Sequence, residues 1–345
     1  MKALVYHGPK DIRYESHSDP KLVEVTDAIV KVGLCSICGS DLHIYHGQGF
    51  SADTGYCVGH EAVGEVVEVG RGVRRLRVGD SVMVSAAVGC GSCARCLAGQ
   101  VELCQTGLMG CYGLSKNLEG CQAELLRVPM ADFNAAPIPE GLTPTQGLML
   151  TDNMATAWFG CRNARIQPGQ RVAVVGLGPI GLMAVEASLV MGASAVYAVD
   201  LNPARRAIAQ SLGAIPLDSA EAPARVGEAT HGQMADCAVE AVGADATIAL
   251  AINLVGRAGH VSVVGVNQNM SFAFPMALAF FKGLHFAIGV CGVPQYWPEL
   301  VALIQQQRLH PERFVSHTLP LADGARAYDL FDRKAEGALK MVLRA

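Results

Sequence analysis

The pattern of apolar and polar positions changes character near residue 156. Before it, stretches at 2–6, 28–34, 61–69 and 80–86 alternate in polarity or are rich in β-branched residues, with turns between them. That pattern predicts a mostly β, barrel-like unit. Beyond it, short apolar runs at 172–175, 195–199, 237–239, 261–264 and 286–288 alternate with helical segments such as 203–212 and 244–254. Wholly apolar strands separated by helices predict an α/β, doubly wound parallel sheet covered on both faces. Helices near 298–307 and 322–334 and a strand at 339–343 close the chain.

The clearest local pattern runs from Arg171 to Asp200. The run Val172 to Val175 leads into Gly176-Leu177-Gly178-Pro179-Ile180-Gly181, an apolar helix over 182–191 stops at Gly192, and a second strand ends in Asp200. Gly176 permits a tight turn, Gly178 lets a pyrophosphate approach the backbone, and Gly181 allows close packing of helix on strand. Free N–H groups at the helix start favour the phosphate charge. Asp200, nineteen residues past Gly181, stands where a ribose would lie. Its carboxylate would accept the ribose hydroxyls and repel a 2′-phosphate, which predicts NAD over NADP.

At 345 residues the chain has room for two cores. A hydrophobic fraction of 51%, a charged fraction of 17% and a net charge of −4 suit a globular enzyme. They give no footprint for nucleic acid or an anionic membrane. With neither an apolar leader nor a run long enough to span a bilayer, a cytoplasmic location is expected. Twelve cysteines then point to metal binding or free thiols rather than disulfides.

Cys90, Cys93 and Cys96 at two-residue gaps, with Cys104 beyond, can enclose one tetrahedral zinc with no open position. Such a closed site would hold a lobe too poor in apolar residues to fold alone. An iron–sulfur cluster or a disulfide pair competes for the same thiols. Cys38 follows a strand and His60 precedes another, and both residue types suit zinc. Cys35 makes a CxxC with Cys38, which leaves a redox pair as the competing reading. Cys57, Cys111, Cys121, Cys161, Cys237 and Cys291 are expected to be buried or partly buried thiols.

Taken together, Cys38-Gly39-Ser40-Asp41-Leu42-His43, Gly59-His60-Glu61, the four-cysteine lobe, the glycine-rich turn and Asp200 resemble the zinc-dependent medium-chain dehydrogenases/reductases, the family of the zinc alcohol dehydrogenases. The resemblance covers essentially the whole chain. It implies a GroES-like catalytic domain over 1–155 with its structural zinc lobe at about 88–106. A Rossmann domain binding NAD over 156–297 and a return to the catalytic domain over 298–345 would follow, with a cleft between the domains. Two Zn²⁺ per chain are implied. Cys38, His60 and Asp152 would ligate the catalytic zinc, and Cys90, Cys93, Cys96 and Cys104 the structural one. Asp152 enters as the only metal-competent carboxylate in the segment where the family carries its third ligand.

The same resemblance gives roles to further residues. Glu61 matches an acid beside the zinc. Ser40 and His43 match a relay that takes the alcohol proton by way of the nicotinamide ribose, and histidine suits its end because its pKa lies near neutrality. Thr156 matches a nicotinamide contact, Arg205 a basic residue near the adenosine ribose, and Lys340 one near the pyrophosphate. Val264 and Val266 stand where the sheet presents loops to the nicotinamide. Pro179 and Ile180 complete the phosphate turn. Trp158 and Phe159 would line the substrate pocket or pack between domains. The apolar stretch from Phe272 to Phe281 lies near the family's subunit contacts, so a homodimer or homotetramer is expected.

The implied activity is reversible hydride transfer between an alcohol and NAD, giving an aldehyde or ketone. A polyol, diol or formaldehyde dehydrogenase would use the same residues. A catalytically silent NAD-binding protein is the alternative of another class.

Overall fold

The computed structural model describes residues 1–106 and 110–345. Met1–Ala155 and Cys291–Ala345 form one compact unit, and Thr156–Val290 a second.

The first unit is built on the strand Ala28–Ile37, whose β-branched residues Val30, Val32 and Ile37 are buried. It pairs antiparallel with Glu61–Val69 on one side and Lys340–Arg344 on the other, and also with Leu125–Val128. The sheet order is Ala135–Pro137, Ser81–Val84, Glu61–Val69, Ala28–Ile37, Lys340–Arg344, Val315–Pro320. A smaller sheet joins Asp11–Ser16, Lys2–Gly8 and Tyr56–Cys57. Leu4, Val30, Val66, Val84, Tyr328 and Met341 pack in the common core.

Two expectations are corrected here. The strand predicted over 28–34 runs on to Ile37, which takes Cys35 into the sheet. The return to this unit begins at Cys291 and not at 298. Trp297 is buried there and donates its indole N–H to the carbonyl of Leu150 at 3.0 Å, which anchors the returning segment.

The second unit is a parallel sheet in the order Ile215–Leu217, Ala195–Val199, Arg171–Val175, Ala235–Glu240, Val255–Val263, His285–Ile288. In chain order this is 3-2-1-4-5-6, so the direction of winding reverses between Arg171–Val175 and Ala235–Glu240. Ligands of such sheets bind at the carboxyl ends of the strands flanking that reversal. The helix Pro179–Val190 begins earlier than the apolar run suggested, because Pro179 supplies a preset φ at its first turn. Ile215–Leu217 escaped the periodicity because it is short, edge-lying and contains Pro216. Among the described residues no helix is long and apolar enough to cross a membrane.

Candidate active site

Three segments of the first unit converge on one cluster. Cys38 precedes the helix Gly39–Tyr45, His60 precedes the strand Glu61–Val69, and Asp152 lies between the helices Pro144–Leu150 and Asn153–Asn163. One donor atom from each of Cys38, His60, Glu61 and Asp152 lies within 4.8 Å of the others. The Asp152 carboxylate is 3.5 Å from Cys38 Sγ and 3.5 Å from His60 Nε2. Thiolate, imidazole and carboxylate converging in this way fit zinc.

The residues behind the cluster fix its geometry. Asp41 is buried, accepts the Cys38 amide at 2.9 Å and faces His60 Nδ1 at 3.2 Å. That contact leaves Nε2 for the cluster, the arrangement that orients metal-binding histidines. Gln122 donates to the carbonyl of Ser36 at 3.1 Å and toward Asp41 at 3.4 Å. Asn153 donates to Glu61 at 2.7 Å and to Asp152 at 3.2 Å. Burial and the Asp152 carboxylate push the Cys38 thiol up. Burial disfavours a charged His60, yet Cys111, Asp41 and Asp152 around it prevail and hold its pKa well above the ordinary value. A divalent cation at this spot would displace both protons, because ligands must be deprotonated to bind.

Ser40 Oγ lies 3.3 Å from His60 Nε2 at the edge of this cluster. His43, half-buried on the same helix, meets the Phe50 ring edge-on with centroids 6.4 Å apart. Cys35 is fully buried, and desolvation pushes its thiol up. A redox pair needs an accessible, easily ionised thiol, so the CxxC is not one.

Lys340 is tied to the acid beside the cluster. It is completely buried, donates to the carbonyl of Ile37 at 3.0 Å and forms an ion pair with the equally buried Glu61, which also accepts the Ser36 hydroxyl. Burial works against its charge, but Glu61 outweighs burial and raises its pKa. Its ammonium is held by Glu61 and the carbonyl of Ile37.

The four cysteines of the lobe lie together, every Sγ within 4.8 Å of the others. Backbone N–H groups point at the sulfurs, from Cys90 to Cys104 Sγ at 3.3 Å and from Cys93 to Cys90 Sγ at 3.3 Å. Such donors favour thiolates, and hydrogen bonds from Ser92 hold Cys90 down to about 5. Buried Cys96 is pushed up to about 12 by desolvation. Four converging sulfurs fit one closed tetrahedral metal site. All twelve cysteines are free of disulfides, and Cys57, Cys111, Cys121, Cys161, Cys237 and Cys291 are buried or half-buried.

In the second unit each glycine of the turn has its structural reason. Gly176 has φ +89°, and a Cβ at Gly181 would lie 1.7 Å from the Gly176 carbonyl oxygen. A Cβ at Gly178 would meet only the Arg205 guanidinium, at 3.9 Å, so the backbone there is open to a ligand. No side chain caps the helix start at Gly178, which leaves its first N–H groups for an anion. Asp200 accepts the amides of Leu177 at 2.6 Å and Asn202 at 2.7 Å, which fixes its carboxylate at the strand end. Arg205 is largely buried, and desolvation, partly offset by Asp200, lowers its pKa.

Buried Glu240 was missed by sequence reasoning. It accepts the amides of Val242 and Gly243 at 2.9 Å and the Thr247 hydroxyl at 2.7 Å, and so shapes the loop opposite the glycine turn. That loop packs on the next: a Cβ at Gly243 would lie 2.3 Å from the carbonyl oxygen of Val266, and the Val264 amide donates to Glu240 O at 2.9 Å. Thr156, Trp158 and Phe159 are buried on the helix Asn153–Asn163.

Comparison with known proteins agrees with this geometry. Residues 24–140 match the alcohol dehydrogenase GroES-like domain and residues 179–306 the zinc-binding dehydrogenase domain. The chain is 40% identical, over its whole length and 88% of the relative's, to a "probable zinc-binding alcohol dehydrogenase" of Mycobacterium tuberculosis. Among solved structures it is similar to the alcohol dehydrogenase TADH from Thermus sp. ATN1, with a TM-score of 0.94 and 42% identity over 100% of this chain and 99% of that one. It is also similar to 2R,3R-butanediol dehydrogenase from Bacillus subtilis, with a TM-score of 0.85 and 29% identity over 100% and 99% of the two chains. The chain belongs to the zinc-type medium-chain alcohol dehydrogenase family.

Proposed function

We propose that this protein is an NAD-dependent zinc alcohol dehydrogenase that interconverts an alcohol with its aldehyde or ketone. The convergence of Cys38, His60 and Asp152 on one point carries the reading. When bound, zinc supplies Lewis acidity that lowers the pKa of an alcohol hydroxyl, and NAD supplies the hydride acceptor. The chain's own residues do the rest. Asp41 fixes the ring of His60, Asn153 ties Glu61 to Asp152, and Ser40 Oγ takes the substrate proton on its way to His43. Cys90, Cys93, Cys96 and Cys104 hold a structural zinc. Gly176, Gly178 and Gly181 with the helix start receive the pyrophosphate, and Asp200 the adenosine ribose. Thr156, Val264 and Val266 border the nicotinamide.

Small secondary alcohols and diols are the substrate class to test first, since a diol dehydrogenase is among the similar structures. Phe280, Phe281 and Ile288 are exposed beside the edge strand His285–Ile288, which supports a homo-oligomer.

The test is NADH formation on primary and secondary alcohols, diols, polyols and formaldehyde, with zinc content measured alongside. Cys38→Ser is expected to remove one zinc ion per chain and abolish turnover while the fold persists. Normal metal content with near-normal kcat would overturn the ligand assignment.

A further inference from the structure

A third set of ligand-type side chains lies elsewhere in the first unit. His17 directly follows the strand Asp11–Ser16. Cys57 ends the short strand Tyr56–Cys57, opposite Val5. Glu119 precedes Gly120, whose amide donates to the carbonyl of Cys57 at 2.7 Å. His17 Nε2 is 2.7 Å from Glu119 Oε2, and the same oxygen accepts the Cys57 amide at 3.4 Å. One donor atom from each of the three lies within 4.8 Å of the others. Cys57 is fully buried, while His17 and Glu119 face a cavity of about 260 Å³ that opens to solvent.

We propose that His17, Cys57 and Glu119 form a third metal site, for a divalent ion of the zinc type with solvent in the fourth position. A nitrogen, a sulfur and a carboxylate oxygen are the donors zinc accepts, whereas magnesium and calcium prefer oxygen alone. The cavity rim carries Lys21, Lys116 and Arg127 as well as Asp19, so it does not gather cations by charge. Selectivity rests on the three inner donors. Binding replaces the His17–Glu119 hydrogen bond and forms metal–nitrogen, metal–oxygen and metal–sulfur bonds; the proton between His17 Nε2 and Glu119 and the Cys57 thiol proton both leave to solvent, and no electron changes hands. Burial and Glu119 both oppose ionisation of that thiol in the absence of a cation.

The site sits on the ribbon that holds His60. Beyond Gly120, the amide of Cys121 donates to the carbonyl of Gly59 at 2.9 Å and that of Gln122 to Val58 at 2.9 Å. Gln122 then reaches Ser36 and Asp41. An ion joining Cys57 to Glu119 clamps one end of the ribbon whose other end orients His60. Its role is positioning and not catalytic.

The experiment dialyses the zinc-loaded protein against about 10 µM free zinc, ample for a site with three protein ligands, and counts metal per chain. Three zinc ions per chain are expected, two in His17→Gln and Glu119→Gln, and two in Cys57→Ala. Cobalt(II) added to protein holding only two zinc ions per chain should give a sulfur-to-metal charge-transfer band that each substitution removes. His17 and Glu119 are partly exposed, so those variants keep the test open should Cys57→Ala fail to fold. Two zinc ions in the unaltered protein, or three that survive His17→Gln and Glu119→Gln, would overturn the proposal and leave these residues a hydrogen-bonded latch. Cys38→Ser leaves this third equivalent in place, so its failure and that of the catalytic assignment are separable.

Discussion

Replacing Lys340 with methionine isolates the most costly charge in the catalytic unit. Lys340 and Glu61 are both completely buried, so neither charge has water to fall back on. Removing one partner of such a pair costs about 3–5 kcal/mol, because the other is left uncompensated. Glu61 keeps the Ser36 hydroxyl and the Asn153 amide, so its charge is not wholly orphaned and the loss falls at roughly 2–4 kcal/mol. For a unit of this size that is a fall in Tm of roughly 4–16 °C. The assay is thermal unfolding of the zinc-loaded protein at fixed free zinc, followed by circular dichroism. Lys340→Met/Glu61→Gln should recover at least half the loss, since an uncharged pair of similar volume is close to neutral in stability. A single-variant loss under about 1 kcal/mol, or costs that simply add in the double variant, would show that the two charges are not coupled.

Three further outcomes follow from the second unit. Gly181→Ala forces a Cβ to within 1.7 Å of the Gly176 carbonyl oxygen, so the helix must shift from the turn. It should weaken NADH binding at least about tenfold by fluorescence titration, with zinc content unchanged; unaltered affinity would mean the turn does not bind the cofactor. Asp200→Ala should narrow the preference for NAD over NADP in kcat/KM, because the carboxylate that repels a 2′-phosphate is gone. It should also cost about 1–2 kcal/mol of stability through the orphaned amides of Leu177 and Asn202, and unchanged cofactor ratios would assign the choice to another residue. Arg171 grips Asp236 through two guanidinium nitrogens at 3.0 and 2.9 Å and holds its carboxyl below its ordinary 3.8. A depressed pKa adds stability above the ordinary value that is lost as pH falls through the folded one. Asp236→Asn should therefore cost about 0.5–1 kcal/mol at pH 7, with the deficit closing as pH falls below the ordinary carboxylate value and through the depressed one; a pH-independent deficit in urea titrations would refute the ion pair.

What the sequence revealed and what it hid divide along sequence distance. The glycine turn, Asp200 and the four-cysteine lobe are legible because each is assembled within about thirty consecutive residues by local backbone geometry. The partners that make the catalytic cluster work are not local. Gln122 reaches Asp41 across 81 residues, Asn153 reaches Glu61 across 92, and Lys340 reaches Glu61 across 279. The last of these exists because the final strand pairs with Ala28–Ile37, a long-range register that no periodicity specifies. Even so, the chain carried a signal. Lys340 interrupts the apolar run Leu339-Met341-Val342-Leu343, and a charge inside a buried strand demands an opposite charge. Asp41 likewise shares the buried face of its helix with Ile44 and Tyr45 at three- and four-residue spacing, so it too had to face a partner inside. Lys340 finds its opposite charge in Glu61, which is buried with it.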